Sequence, residues 1–205
     1  MTIRLSNAGK RFNRDWIFRK ISYTFLAGET YAIKGSNGSG KSTLLQALAG
    51  SLAINEGKIE WEVNNSAIEA DSLYQYLTIA APYVEVIEEM TAIEFLQFHQ
   101  QFKPLLPEVS IKEILAFIGL EKAANKQIRY YSSGMKQRIK LAQAIFSNVP
   151  LLLLDEPCTN LDVVGYELYH NLISQYASNK TIIVSSNDIN EYSFCKNVIS
   201  IMDYK

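Results

Sequence analysis

The residues Gly35-Ser36-Asn37-Gly38-Ser39-Gly40-Lys41-Ser42-Thr43 follow the order G-x-x-x-x-G-K-[ST]. Glycines at these positions let successive backbone N–H groups curl around phosphate oxygens, where a β-carbon would block the approach or forbid positive φ. Lys41 supplies a compensating charge. A helix starting there adds its partial positive end, and the Ser42 hydroxyl is placed to ligate a Mg²⁺ that bridges the outer phosphates. Farther along, Leu151-Leu152-Leu153-Leu154-Asp155-Glu156 is an apolar run ending in two acids. As a buried strand it would bring Asp155 to the phosphate loop, as a direct or indirect Mg²⁺ partner. Glu156, pointing the other way, can orient and deprotonate a water that attacks a γ-phosphate.

These groups need a scaffold, and the hydrophobic pattern predicts one. Ile21, Tyr23 and Phe25 alternate with Ser22 and Thr24 as in a half-exposed strand, Ala27-Gly28 turns the chain, and Thr30 to Lys34 reads as a short buried strand. The glycine loop follows, and Lys41 to Ala49 is a helix stopped by Gly50. Strand, glycine loop and helix are the setting in which the motif is meaningful. Ile59, Trp61 and Val63 alternate with Glu60 and Glu62, an exposed strand of an antiparallel layer, and Leu77 to Ala81 is a buried strand ended by Pro82. From Thr91 to about Leu120 the period becomes helical, interrupted by Pro104 and Pro107. Ser133 to Phe146 continues as a helix, Leu151 to Leu154 as a strand, Val163 to Ala177 as a helix and Thr181 to Ser185 as a strand. Alternation of this kind builds a mostly parallel sheet, an α/β fold.

At 205 residues, 48% hydrophobic and 20% charged, the chain has an ordinary globular composition, which excludes disorder, collagen and coiled coil. Its longest apolar run, Val149 to Leu154, is far below the ~20 residues of a membrane helix, and Met1-Thr2-Ile3-Arg4 opens no signal peptide. A soluble, intracellular chain is expected. A net charge of −1 gives no general attraction to nucleic acid, and the basic run Lys10, Arg11, Arg14, Arg19 and Lys20 reads as a solvated face. Cys158 and Cys195 have no paired spacing and read as reduced thiols, buried or half-buried. His99 and His170 read as helix-surface or packing residues.

With both motifs in place, the chain resembles the ATP-binding cassette (ABC) ATPases over essentially its whole length. Tyr131-Ser132-Ser133-Gly134-Met135-Lys136-Gln137-Arg138 is similar to their signature, usually L-S-G-G-Q followed by x-Q-R, and Thr159-Asn160-Leu161-Asp162 to their D-loop. Phe12 falls where the family has an aromatic that stacks on adenine, with Trp16 the competing candidate. The resemblance implies a P-loop NTPase with a RecA-like core, an antiparallel β layer and a helical insertion around residues 84 to 134, all in one domain spanning 1 to 205. It also implies ATP and Mg²⁺ as ligands. Ser132 and the amides of Ser133, Gly134 and Met135 open a helix, a second anion-binding end that suits a partner's nucleotide. In the family two such subunits, identical or different, pack head to tail around two ATP molecules.

Two positions depart from the family pattern. Pro82-Tyr83 stands where the family has a Gln that contacts Mg²⁺ and water, and Asn187 stands in place of the switch His. Asn187 can donate to a γ-phosphate but cannot carry a charge as imidazole can. The resemblance implies a stand-alone nucleotide-binding subunit that hydrolyses ATP and drives a separate membrane permease, peripheral on the inner face of the cell membrane. Length and the S-S-G-M signature variant resemble small exporter subunits, among them those of haem exporters in cytochrome c maturation and of lipid or drug exporters. A permease-free ATPase clamp and a scaffold nearly without hydrolysis are the alternative readings. As a bland alternative to phosphate contact, Asn187 would be a helix cap for Asp188 to Phe194.

Overall fold

The computed structural model describes all 205 residues. Strands β1 (Thr2–Phe12) and β2 (Asp15–Phe25) form a hairpin, and β3 (Thr30–Lys34) runs through the glycine loop into α1 (Lys41–Leu48). Then come β4 (Glu56–Val63), β5 (Ser66–Ile68), β6 (Leu77–Ala80) and the helices α2 (Ala92–Phe102), α3 (Ile111–Phe117) and α4 (Ser133–Ile145). The chain ends with β7 (Leu151–Asp155), α5 (Val163–Tyr176), β8 (Thr181–Ser185), α6 (Ile189–Tyr192), β9 (Asn197–Ser200) and a last turn, Ile201–Tyr204.

These strands make two sheets. Four form an antiparallel layer in the order β2-β1-β4-β5, and five form a parallel sheet in the order β6-β7-β8-β3-β9. The α/β fold and antiparallel layer read from the sequence are therefore present. Strand β9 was not foreseen, because Asn197–Ser200 is a four-residue run without clear alternation.

The all-leucine stretch of β7 shows why the parallel sheet sits where it does. Leu151 and Leu153 face one core, shared with Ile3, Phe18, Phe25, Leu44 and Leu45 of the antiparallel layer and α1. Leu152 and Leu154 face the other, shared with Leu96, Ile114, Ile139 and Tyr169 of the helices. A strand buried on both faces has no polar side to show, so its apolar run is continuous. Each fully buried leucine contributes about 1.5–3 kcal/mol.

The helices between β6 and β7 have strong local starts. Thr91 with Glu94 and Ser110 with Glu113 each form a capping box at the head of α2 and α3. Pro104 and Pro107 lie in the connection between those helices, as the sequence requires.

The basic run near the N-terminus is more than a solvated face. Lys10 is buried and donates to the Ala53 carbonyl at 2.7 Å, while Arg19 makes two 2.9 Å bonds to Glu56. The two cysteines are free thiols as expected, Cys158 buried and Cys195 half-buried.

His99 packs in the interior, not on the surface. Its Nε2 faces the Ser147 hydroxyl at 2.7 Å, and that hydroxyl donates to the Gln143 carbonyl, so it accepts from the ring. The Gln143 amide nitrogen lies 3.0 Å from Nδ1 and donates to it. The network selects the neutral ring, and burial with the nearby Lys103 charge lowers its pKa to about 4. In the unfolded chain the same group titrates near its ordinary 6.5. Between those values the unfolded chain binds more protons, so stability falls as the pH drops from about 6.5 to 4. We expect the unfolding free energies of wild type and His99→Gln to converge by roughly 2–3 kcal/mol over that range. Denaturant titrations at intervals of half a pH unit would measure this, and parallel curves would remove His99 as the cause.

Candidate nucleotide-binding site

The phosphate loop lies at the carboxyl end of β3. Gly40 has φ 97 and precedes α1 with no side-chain cap, so the first-turn amides of Lys41, Ser42 and Thr43 are left to the loop's concavity. A β-carbon on Gly40 would collide with Ile17 Cγ2 of β2, and one on Gly35 would lie 2.6 Å from Ile201 Cγ2 and from Ser39 Oγ. The loop backbone is thus pressed between the antiparallel layer and the last turn of the chain.

Asn37, Gly38, Ser39, Gly40, Lys41, Ser42 and Thr43 line one concavity together with Ile17 and Glu156. Gly35 and Ser36 are outside that lining, and their carbonyls accept from the buried Lys41 ammonium at 2.9 and 3.3 Å. Lys205 was not anticipated. Its ammonium donates to Ser39 O at 2.6 Å and to Ile17 O at 2.8 Å, which adds a second cation to the loop.

Asp155 and Glu156 take different positions for a reason the strand pattern did not supply. Asp155 ends β7, is 2% exposed, and its Oδ1 has no hydrogen-bond partner. Ser185 Oγ, level with it on β8, is also buried and unpartnered. Glu156 is outside the strand, and its φ of 44 turns the side chain toward the loop. A left-handed conformation at a non-glycine residue costs about 1–3 kcal/mol and persists only where the surroundings enforce it. Strand alternation alone therefore does not aim Glu156; the strained turn does.

The two departures also converge here. Asn187 Nδ2 donates to Asn37 Oδ1 of the phosphate loop at 2.7 Å. The cap of α6 is Asp188, which accepts from the Asn190 amide at 2.9 Å, so Asn187 is not the helix cap. Tyr83 follows β6, whose Ala80 is level with Leu154. Burial, with the negative charge of Asp155 nearby, raises its hydroxyl to about 12, and the Gln46 side chain opposes the rise.

Phe12 ends β1 and is 48% exposed, with the Lys10 ammonium 5.0 Å from its ring centre. Trp16 is flanked by Arg11 at 5.5 Å and Arg19 at 4.4 Å. Both rings have a cation beside them, and Phe12 is the more exposed of the two.

Ser132, Ser133, Gly134 and Met135 line a separate concavity with Arg138, Asn160, Leu161 and Asp162. Ser132 caps α4 by accepting from the Met135 amide at 3.3 Å. The two linings share no residue.

No group of three or more histidine, cysteine, aspartate or glutamate side chains could hold a metal ion by itself. Mg²⁺ needs only one or two protein oxygens and completes its shell with phosphate and water. The unpartnered Asp155 Oδ1 and the Ser42 hydroxyl are donors of the right kind.

No helix is long and apolar enough to cross a membrane. The family model for ABC transporters matches residues 18–159. The ABC transporter ATP-binding protein YybJ of Bacillus subtilis is 32% identical over 191 residues, covering 90% of this chain and 84% of that protein. The cytochrome c biogenesis ATP-binding export protein CcmA of Aliivibrio fischeri is 31% identical over 168 residues, covering 82% of each. The dimeric bacterial ABC transporter cassette MJ0796 superposes with a TM-score of 0.80 at 25% identity, over 97% of this chain and 93% of the other. The same cassette has been captured as a dimer after hydrolysis with ADP and Pi, at a TM-score of 0.81. Phosphate loop, signature and two-sheet architecture agree with these likenesses, and the chain belongs to the ATP-binding subunits of the ABC transporter family.

Proposed function

We propose that this chain binds and hydrolyses ATP with Mg²⁺ as one half of a head-to-tail dimer, and that it drives a separate integral membrane permease from the inner face of the cell membrane. The observation that carries this reading is the pair of separate concavities. A phosphate loop facing Glu156 and a helix N-terminus carrying the signature beside the D-loop line two concavities that share no residue. A second subunit, identical or related, would bring its signature to this chain's phosphate loop. The same reading expects no nucleic-acid partner, and the export named for CcmA favours export here.

Within that site, Lys41 and the α1 amides hold the outer phosphates, and Phe12 offers its exposed ring to adenine. Ser42 and Asp155 would hold Mg²⁺, which when bound neutralises charge on the outer phosphates. Glu156 accepts the proton of the attacking water, and Asn187 donates to the γ-phosphate. Asn187 brings no positive charge, and Tyr83 offers a single hydroxyl oxygen where an amide would offer a carbonyl acceptor and a separate NH₂ donor. Both features favour slow turnover.

Lys41→Ala should weaken Mg-ATP binding by about 10- to 100-fold, the worth of one charge-assisted contact. Titration calorimetry on both proteins checks this, and equal affinities would refute the phosphate-loop reading. Glu156→Gln should leave binding intact, lower hydrolysis by about 10² to 10⁴ and accumulate an ATP-bound dimer. A protein that stays monomeric by light scattering in saturating Mg-ATP would contradict a homodimer. Asn187→His should raise the single-turnover rate by adding a charged donor, and Asn187→Ala should lower it without the stability loss of a removed helix cap. A normal rate in Asn187→Ala would end its role at the phosphate.

A further inference from the structure

The peptide unit between Pro157 and Cys158 is held at both edges by buried side chains. Its carbonyl accepts from Gln137 Nε2 at 2.6 Å, and its N–H donates to Glu191 Oε1 at 2.8 Å. In a trans peptide these two groups point in opposite directions, and no peptide in the chain is cis. Gln137 is 6% exposed and Glu191 4%, so neither bond competes with bulk water.

These two side chains come from different places. Gln137 lies on α4, whose first turn carries the signature, and Glu191 lies on α6, just after Asn187 and its contact with the phosphate loop. Helix α6 is itself fastened to α5, because Tyr169 donates to the Glu191 carbonyl and Tyr166 to Asp188, each at 2.9 Å. Immediately upstream of the gripped peptide is Glu156, with its strained φ of 44. Its amide donates to Ser185 O at 2.9 Å, and its carbonyl accepts from Thr159 N and Oγ1 at 3.2 and 2.9 Å.

We propose that Gln137 and Glu191 are positioning residues that act as a two-sided clamp on the Pro157–Cys158 peptide, holding Glu156 in its strained, loop-facing conformation. A peptide plane fixed at one edge can still rock about its neighbouring φ and ψ. Fixed at both edges it cannot, and the backbone strain at Glu156 has no route to relax. The clamp also connects signature helix, base and phosphate-loop contact through one rigid unit. Burial pushes the Glu191 carboxyl upward, with Ser186 and the Cys158 amide pulling it back. Either protonation state retains an oxygen that accepts from Cys158.

This inference rests on the reading of Glu156 as the base, so its test has two independent readouts. Glu191→Leu and Gln137→Leu remove one edge of the clamp each, and Glu191→Gln keeps an acceptor. Each Leu variant should bind Mg-ATP within about threefold of wild type yet lose about 10- to 100-fold in single-turnover rate per bound ATP, the expected result of a displaced reacting group. Glu191→Gln should recover most of that rate. Hydrogen–deuterium exchange of residues 156–162 should accelerate in both Leu variants and return to the wild-type pattern in Glu191→Gln. Normal rates per bound ATP in both Leu variants would overturn the clamp. If wild type itself does not hydrolyse ATP, the hydrolysis reading fails separately, and exchange decides: unchanged exchange in 156–162 overturns the clamp, and acceleration confined to it upholds the clamp. Should Glu191→Leu not fold, the rate and the exchange of Gln137→Leu decide between the same two outcomes.

Discussion

An anion cradle made of backbone amides requires a backbone stripped of side chains and held firmly from outside. In this chain Gly40 lies flush against Ile17 of β2, and Gly35 against Ile201 of the last turn. The hairpin and the C-terminal turn therefore serve the loop as its walls. Lys205 then binds the Ser39 carbonyl, and Lys41, which lines the concavity itself, binds the carbonyls of Gly35 and Ser36. Carbonyls occupied by cations leave the amides of the loop free for anions. The loop is polarised by its supports as well as by the dipole of α1.

The parallel sheet serves the same end. Its carboxyl edge collects the phosphate loop after β3, Asp155 after β7, Ser185 after β8 and Tyr83 beyond β6. Leucines on both faces of β7 bind the two cores to one rigid plate, so groups at its edge keep their spacing. Three buried oxygens there, on Ser39, Asp155 and Ser185, have no partner. A buried polar atom without a hydrogen bond costs about 1–3 kcal/mol.

Backbone strain is found in the same place. Glu156 holds a left-handed backbone, and Asn160 in the neighbouring loop does as well, with φ 66. Between them the chain is gripped by Gln137, Glu191 and Thr159. Side chains from the signature helix and from the segment after β8 thus meet on a turn only a few residues long. The stiffness of that turn follows from burial, since neither Gln137 nor Glu191 can trade its bond for water.

Much of this was legible in the residues themselves. A phosphate loop is made of consecutive residues, so glycine spacing, Lys41 and Ser42 declare it without any tertiary information. A strand buried on both faces leaves an unbroken apolar run, so β7 and its terminal acids were visible for the same reason. The roles of Ile17, Ile201 and Lys205 had no such signal, because each acts on the loop from a distant part of the chain and belongs to an unremarkable local pattern. Asn187 was identified by position alone; its bond to Asn37 spans 150 residues and decides between a phosphate-loop contact and a helix cap. Strand periodicity suggested that Glu156 would point away from Asp155, yet a positive φ, enforced by partners on α4, β8 and α6, is what turns it toward the loop. Local chemistry is written in consecutive residues, whereas the aim of a side chain depends on which distant backbone groups it must satisfy once water is excluded.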